Sequence, residues 1–316
     1  MQRLTTLIIF LCLFSCSDNV DQFVQNDVSI VHTQLKDIGQ SKSSSFKLNN
    51  NTVSNIATDN NTEIELPINT FFKPSELSDI PFQLDIIELD SYEDYITSNV
   101  TNLSDEGVRD VIFSIYISAK DNEKNTLSVQ NNQEIVVRIP AENKIGELQL
   151  GSGYASENVI TWNYSNTHNN KKIKYKQWSR TNSENVLEEF SGYEFRISES
   201  GWYSLTVVKD DQYTLNDVCL SIPEEKFNEN NSLVFILLDS HQHLLQAQPL
   251  NSEIFCNYNV PVTGNTLDII AISYIDGEDQ FYYDSKQIKA DDIDSEINLS
   301  PVRIDKETLS SKLMEL

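Results

Sequence analysis

Two histidines and a carboxylate lie close together after an apolar run of the sequence. Asp239, His241 and His243 alternate along "DSHQHLL", so on a strand all three side chains would point to one face. Two imidazoles and a carboxylate are ligands that Zn²⁺ accepts. No other histidine is near in sequence. These residues are weak candidates for a metal site, and a polar turn after the strand-like "LVFILL" is the interpretation that we favour.

Acidic residues form two further features with possible chemistry. The loops "DGED" (276–279) and "KADDIDSE" (289–296) offer oxygen ligands for Ca²⁺, although neither has the EF-hand spacing. The adjacent pair Glu93 and Asp94 could serve a glycosidase, which needs two carboxylates at a set separation. Solvated turns explain the loops more simply, and 48 acidic residues make such pairs common by chance. We expect no cofactor, with calcium as the weaker alternative.

Several aromatic residues could form a platform for a sugar ring. In strands, however, such residues more often pack in the core or across strands. Glycan binding is therefore kept as an alternative function. The residues concerned are Trp162, Trp178, Trp202, Tyr282 and Tyr283.

The motifs that specify a reaction are missing from the sequence. It contains no HExxH, no GxSxG, no GxxxxGK[ST] and no GxGxxG after a strand. We therefore predict that the chain is not an enzyme. A hydrolase whose site is assembled from residues distant in sequence is the further alternative.

The N-terminus has the composition of a secretory signal. Arg3 supplies a positive charge, and residues 4–14 form an apolar stretch that is too short to span a bilayer. The tetrad Leu13-Phe14-Ser15-Cys16 resembles the lipobox of bacterial lipoproteins. This resemblance implies that residues 1–15 are removed and that Cys16 carries lipid. The alternative is an ordinary signal with an incidental cysteine.

Two cysteines remain after the predicted signal peptide and Cys16. An exported chain meets an oxidising compartment, where Cys219 and Cys256 could form a disulfide. Alternation places Cys219 on the more polar face of "NDVCLSI", so two small buried thiols remain an alternative.

The composition limits the classes of partner. The formal net charge is −25, and such a chain repels phosphate backbones and anionic lipid surfaces. We therefore expect no nucleic acid partner. At 316 residues the chain also exceeds what one core usually holds, so two domains are expected.

Short stretches of two-residue alternation predict strands from Thr62 onward. In "VIFSIYISA", for example, Val111, Phe113 and Ile115 fall on one face. Similar runs are separated by turn-rich pieces such as "KDNEKN" and "DGED". Many short strands without interleaved helical patterns predict an all-β chain of antiparallel sandwich-like units.

The same pass predicts the boundaries of the units. Polar residues 16–61 are expected to form a flexible tether behind the lipidated cysteine. A connecting β region contains the locally basic "NTHNNKKIKYKQW", and the tail contains the helix candidate "DKETLSSKLMEL". The predicted ranges are 62–140 for the first sandwich-like unit, 141–185 for the connecting region, 186–300 for the second unit and 301–316 for the tail.

The layout resembles the envelope lipoproteins of Bacteroidota. The resemblance rests on the lipobox, the polar tether, "IELPINTF", "ITWNY" and the turn Gly201-Trp202-Tyr203. It implies two β-sandwich units and an outer-membrane location. Acidic residues soon after the cysteine, here Asp18 and Asp21, resemble a signal for export to the cell surface. The alternative is an anchor that faces the periplasm.

The sequence therefore predicts a non-catalytic, lipid-anchored envelope protein that acts as a binding or scaffold module. The expected partners are the membrane, through the lipid on Cys16, and an envelope protein or a glycan.

Overall fold

A computed structural model describes residues 30–36, 38, 42–72, 81–104, 106–156, 159–164, 173–182, 184–208, 214–238, 243–262, 266–289, 293 and 297–316. Strands make up 61% of it and helices 9%, which confirms the predicted all-β class with a short C-terminal helix. No helix in these ranges is long and apolar enough to cross a bilayer. The predicted signal peptide and Cys16 lie outside the described residues.

The described residues contain 23 strands. The first group is β1 (Lys42–Asn49), β2 (Ser54–Ala57), β3 (Glu63–Leu66), β4 (Phe71–Phe72), β5 (Pro81–Leu89), β6 (Val100–Ser104), β7 (Gly107–Val108) and β8 (Val111–Asp121). The second is β9 (Thr126–Val129), β10 (Ile135–Pro140), β11 (Leu148–Ser156), β12 (Val159–Asn163), β13 (Lys174–Thr181), β14 (Leu187–Ile197) and β15 (Gly201–Val207). The third is β16 (Thr214–Ser221), β17 (Ser232–Leu238), β18 (His243–Pro249), β19 (Ile254–Val262), β20 (Thr266–Ile275), β21 (Gln280–Lys289), β22 (Ile297–Asn298) and β23 (Val302–Ile304).

These strands form three sheets. A ten-stranded sheet runs β1-β5-β8-β15-β11-β12-β6-β7, with β9 paired to β8 and β4 to β9. A five-stranded sheet runs β13-β14-β10-β3-β2, and an eight-stranded sheet runs β22-β16-β19-β18-β17-β20-β21-β23. Pairing is antiparallel apart from β6 with β12 and β16 with β22.

The ten-stranded and five-stranded sheets pack face to face as a sandwich. Alternate residues of each strand point inward, as the two-residue period requires. Ile64, Val137 and Phe195 of the five-stranded sheet share one buried cluster with Ile117 and Leu205 of the ten-stranded sheet. Burial of a side chain of this size contributes roughly 1.5–3 kcal/mol, so the shared cluster holds the two layers together.

The eight-stranded sheet encloses a second core between its own strands. Val218 of β16 and Phe255 of β19 lie in one buried cluster with Ile236 of β17 and Ile269 of β20. The other face of β17 is also covered, because Phe235 belongs to a different buried cluster. All seven residues of β17 are buried.

That third cluster joins the sandwich to the eight-stranded sheet. Trp162 and Leu89 enter it from the ten-stranded sheet, and Phe235 and Ile270 enter it from the eight-stranded sheet. Three helices complete it: α1 (Ile30–Leu35), α2 (Tyr92–Ser98) and α3 (Lys306–Met314). Their buried residues include Val31, Leu35, Ile96, Leu309 and Leu313.

Two of the predicted boundaries need correction. The range predicted as a flexible tether, 16–61, includes α1, β1 and β2. The strand β1 is polar, yet all eight of its residues pair with β5, and Leu48 and Phe46 lie against the sandwich core. A strand at the edge of a sheet keeps one side in water, so a polar sequence does not prevent pairing.

The second correction concerns the boundary at residue 186. The predicted second unit, 186–300, includes β14 and β15, but β14 pairs with β10 and β15 pairs with β8. Strands β11, β12 and β13 of the predicted connecting region also belong to the sandwich sheets. The sandwich therefore extends from 42 to 207, and the eight-stranded sheet starts at Thr214.

Candidate functional site

The predicted metal candidates are only partly described. Asp239 and His241 lie outside the described residues. His243 begins β18 and is fully buried, with Nε2 paired to Oδ1 of Asp110. The next backbone N–H, that of Leu244, donates to Oδ1 of Asn102 over 2.7 Å. His243 thus joins the eight-stranded sheet to the sandwich, and the described ranges contain no group of three or more His, Cys, Asp or Glu suited to a metal.

The acidic pair Glu93 and Asp94 has a structural role in α2. Oδ2 of Asp94 accepts from the Ser91 N–H at 3.2 Å, and Ser91 Oγ accepts from the Asp94 N–H at 3.2 Å, which forms a capping box. Oε1 of Glu93 accepts from Ser310 Oγ of α3. Burial raises the pKa of both carboxyls.

The acidic turn 276–279 is engaged by neighbouring tyrosines. Tyr274 donates to Asp279 Oδ1 at 2.8 Å, and Tyr282 donates to Glu278 Oε2 at 2.6 Å. These hydrogen bonds raise the pKa of both phenols. The second loop proposed for calcium, 289–296, lies mostly outside the described residues.

The structure joins Cys219 to Cys256 in a disulfide. The two residues face each other across the β16–β19 pair, with their Cα atoms 4.1 Å apart. Cys219 lies on the exposed side of its strand, as the alternation indicated, while Cys256 is buried. The bond therefore links two neighbouring strands of the same sheet.

The proposed aromatic platform is not assembled from its five members. Trp162 is fully buried and donates from Nε1 to the Thr101 carbonyl. Tyr282 and Tyr283 lie in two different buried clusters. Trp202 is half-buried and packs on Tyr116, with ring centroids 5.1 Å apart. The remaining member, Trp178, lies on another sheet.

Trp178 belongs to a mixed aromatic and charged face on the five-stranded sheet. It stacks on Phe190 of β14 with centroids 5.9 Å apart and planes 21° apart, and both rings are half-buried. The Arg180 guanidinium lies 4.9 Å from the Phe190 centroid and binds Glu188. Since alternate residues share a face, Lys174 and Lys176 lie on the same side of β13 as Trp178.

An ion network continues this face toward β3. Arg138 of β10 donates to Glu63 at 2.5 Å, to Glu65 at 2.6 Å and to Glu194 at 2.8 Å. Lys176 pairs with the same oxygen of Glu194. The network ties β3, β10, β13 and β14 together across the outer surface of the sheet.

The network changes the proton affinities of its members. Burial by itself would lower the pKa of Arg138, but hydrogen bonds to Glu65, Glu194 and Glu63 raise it overall. Burial would likewise raise the pKa of Glu194, but the contacts with Lys176 and Arg138 lower it overall. All of these contacts favour the charged forms.

A groove lies beside β13, where the connection from β10 to β11 passes. Its volume is about 750 Å³. Three lysines and a glutamate line it, although the whole chain carries a net charge of −25. The rest of the lining is largely apolar or aromatic. The lining residues are Lys144, Ile145, Gly146, Glu147, Leu148, Ile173, Lys174, Tyr175, Lys176 and Tyr193.

Two tyrosines hold the wall of this groove. The Tyr193 hydroxyl contacts the Ile145 backbone, donating to its carbonyl at 3.0 Å. The Tyr175 hydroxyl lies 3.2 Å from the carbonyls of Ala141 and Glu142. The rings of Tyr175 and Tyr193 meet edge to face, 5.2 Å apart. These contacts therefore fix the connection between β10 and β11 to the tyrosines of β13 and β14.

Two of the lysines are available to a ligand. Lys144 and Lys174 are exposed, and neither forms an ion pair with a described residue. An amine without a protein partner can neutralise an anionic group that enters the groove. Lys144 and Lys174 can thus bind an anion without first breaking an ion pair to a described residue.

The sequence carried part of the signal for this site. The basic segment that contains Lys174 and Lys176 stood out, but residues 144–148 did not, because they lie about thirty positions earlier. Only the pairing of β13 with β14 and the tyrosine contacts bring the two segments together. The alternation of Lys174, Lys176 and Trp178 was the available clue to the aromatic face.

Comparison with protein-family models, with curated proteins and with solved structures finds no match to this chain.

Proposed function

We propose that this chain is a non-catalytic, lipid-anchored protein of the cell envelope that binds a ligand at the lysine-lined groove. The observation that carries the proposal is the groove itself. It combines a concave surface, apolar and aromatic lining residues, and two lysines that form no ion pair with any described residue. Binding sites for small or extended ligands share these properties.

The proposed anchor is the lipid on Cys16. The tetrad Leu13 to Cys16 supports it, together with the apolar stretch before it. Two or three acyl chains would hold the protein stably on a membrane. The proposed location is the outer membrane, with the folded part at the cell surface, which the acidic residues Asp18 and Asp21 support.

Binding without catalysis fits the surroundings of the described histidine–carboxylate pair. A general base must reach its substrate within hydrogen-bonding distance. His243 is 0% exposed, and its partner Asp110 also accepts from Thr206 Oγ1 through its carbonyl. This pair serves the junction between the sheets. The alternative of a hydrolase would require a different set of residues.

Capture of a glycan on the aromatic face alone, without the groove, is the second candidate function. The half-buried pair of Trp178 and Phe190 favours it, because a flat aromatic surface suits the apolar face of a sugar ring. The polar side chains around the pair can supply hydrogen bonds. A scaffold role in an envelope assembly is the third candidate, and it would make the groove dispensable.

A pull-down from the native envelope tests the proposal. The lipidated protein is compared with Lys144→Ala/Lys174→Ala, and Lys286→Ala/Lys289→Ala on the exposed part of β21 is the matched control. We expect one ligand or partner to be recovered with the unmodified protein and the control but not with the groove variant. Equal recovery by all three would favour the scaffold role.

A second experiment tests the anchor separately. Cys16→Ala should abolish fatty-acid labelling and move the protein to the soluble fraction. Protease added to intact cells should degrade the unmodified protein. Persistent labelling of the variant would refute the lipid assignment, and full protection from protease would place the protein inside the cell envelope.

A further inference from the structure

We infer that the ligand is a carboxylated polysaccharide, bound across the groove and the adjoining face of β13. This inference rests on the proposed binding function and names its ligand class. The site consists of Lys144 and Lys174 at the groove and Trp178 farther along the strand.

The charges around the groove favour an anionic ligand. Lys144, Lys174 and Lys176 form a local cationic group on a chain of net charge −25. At physiological ionic strength the Debye length is about 8 Å, so the distant acidic residues are largely screened and the charges close to the groove determine the interaction. Glu147 and Glu194 limit the excess of positive charge, and Lys176 is already shared with Glu194. An anionic ligand of modest charge density fits this balance.

The spacing of the side chains along β13 favours an extended ligand. Side chains that share one face of a strand are spaced by roughly 7 Å, so Lys174 and Trp178 lie roughly 14 Å apart along β13. A ligand that contacts both must be extended. The Trp178 ring is held nearly parallel to Phe190, and Arg180 lies over Phe190 on the same face. This rigid aromatic surface is suited to the face of a sugar ring.

The position of the side chains on β13 favours a glycan over an acidic peptide. Strand β13 is at the edge of the five-stranded sheet, and a peptide would extend the sheet by pairing with that edge. Lys174 and Trp178 instead stand on the outer face of the sheet, since alternate strand side chains project to the same side of it. A chain that lies across this face contacts both side chains, whereas an added strand does not require Trp178.

The ligand class can be tested by calorimetric titration of the full chain. The probes are oligomers of galacturonate, alginate and hyaluronate. The methyl ester of the galacturonate oligomer has the same backbone without the charge, and poly-glutamate represents an acidic peptide. We expect at least one acidic oligosaccharide to bind, and the galacturonate ester to bind at least about tenfold more weakly than its acid if that acid is the ligand, because hydrogen bonds to charged groups are strong.

Variants assign the binding to the site. Lys144→Ala/Lys174→Ala should weaken binding of the acidic oligosaccharide at least about tenfold, and Trp178→Ala should do so to a similar degree. Trp178→Phe keeps a flat ring and should restore most of the affinity. The control Lys286→Ala/Lys289→Ala should bind within about twofold of the unmodified chain, as expected for remote surface sites.

Three results would overturn the inference. They are the failure of all three acidic oligosaccharides to bind, binding that Trp178→Ala and Lys144→Ala/Lys174→Ala leave unchanged, and poly-glutamate binding that is as tight and independent of Trp178. If these results appear while the envelope pull-down still depends on the groove lysines, only the ligand class is wrong. If the pull-down also loses that dependence, the proposed binding function is wrong as well.

Discussion

Strands β13 and β17 differ in what their side chains face. β13 lies at the edge of its sheet, with Tyr175 turned to the sandwich core and Trp178 on the outer face. β17 lies inside the eight-stranded sheet, and Phe235 and Ile236 belong to two different buried clusters. A strand with one face in water can display side chains to a ligand, whereas a strand buried on both faces contributes only packing. The sandwich is therefore where we place the binding site.

The largest expected effect concerns the buried strand. Phe235→Ala leaves a cavity between the sandwich and the eight-stranded sheet and should lower the free energy of unfolding by about 3–5 kcal/mol. Trp178→Ala, on the half-buried face, should lower it by only about 1 kcal/mol. Urea denaturation of both variants gives the comparison. Equal losses of unfolding free energy would mean that the side chains of β13 and β17 do not differ in burial.

The disulfide should make the next largest contribution to the free energy of unfolding. It lies in the eight-stranded sheet, which also contains the buried strand β17. Cys219 and Cys256 are separated by 37 positions, and closing such a loop stabilises by roughly 4 kcal/mol in the chain-entropy model. Denaturation with and without dithiothreitol measures this contribution. Cys219→Ser/Cys256→Ser should be as unstable as the reduced protein and insensitive to reductant. Two free thiols titrated in the unfolded, non-reduced protein would contradict the bond.

The junction between the two parts should be sensitive to acid through His32 of α1. His32 is 2% exposed, and its ring nitrogens have no hydrogen-bond partner within the described part of the chain. Burial, with a smaller contribution from the charge of Lys36, lowers its pKa from 6.5 to about 4. The unfolded chain therefore binds a proton at a higher pH than the folded chain does.

The sign of this effect follows from linkage. Stability should be complete above pH 6.5 and should fall as the pH decreases toward 4, by about 3 kcal/mol in total from this group. His32→Leu should make the unfolding free energy less dependent on pH in that interval. The difference between the two curves isolates His32 from the other titrating groups. Parallel curves would show that His32 is exposed to solvent.

The smallest effect is expected on the polar face of the sandwich. Arg138→Met leaves Glu63, Glu65 and Glu194 close together without their shared guanidinium. We expect a loss of roughly 1–2 kcal/mol that shrinks in high salt, because the Glu65 side chain is partly exposed and salt screens its repulsion with the two buried carboxylates. Lys286→Met on the exposed part of β21 should change stability by less than about 0.5 kcal/mol. A loss that salt does not affect would indicate a packing role for Arg138.

The sequence predicts the class of fold better than the membership of its sheets. Alternation in "VIFSIYISA" reports that one face is buried, and β8 is indeed a strand. It does not report which strand lies alongside, because pairing partners such as β8 and β15 are about ninety residues apart. The predicted second unit wrongly includes β14 and β15 for this reason. The turn at Gly201 is a local feature, since its φ of +147° favours glycine.

The candidate site was predictable only in part, for the same reason. Lys174, Lys176 and Trp178 are neighbours on one strand, and their alternation is visible in the sequence. Lys144 reaches the groove through a connection that Tyr175 and Tyr193 fix to the sandwich. Side chains brought together by long-range pairing leave no local sequence pattern. Only the part of the site that lies on one strand can therefore be predicted from the sequence.

If Cys16 carries lipid as proposed, the docking of α1 limits how far the protein can reach from a membrane. Ile30, where α1 begins, lies fourteen positions after Cys16. A fully extended chain spans at most about 3.5 Å per residue, so a lipid on Cys16 would keep α1 within roughly 50 Å of the membrane. A body that began at residue 62 could be about three times farther away. The groove would then sample only material close to the cell surface, such as polysaccharide that has already arrived there.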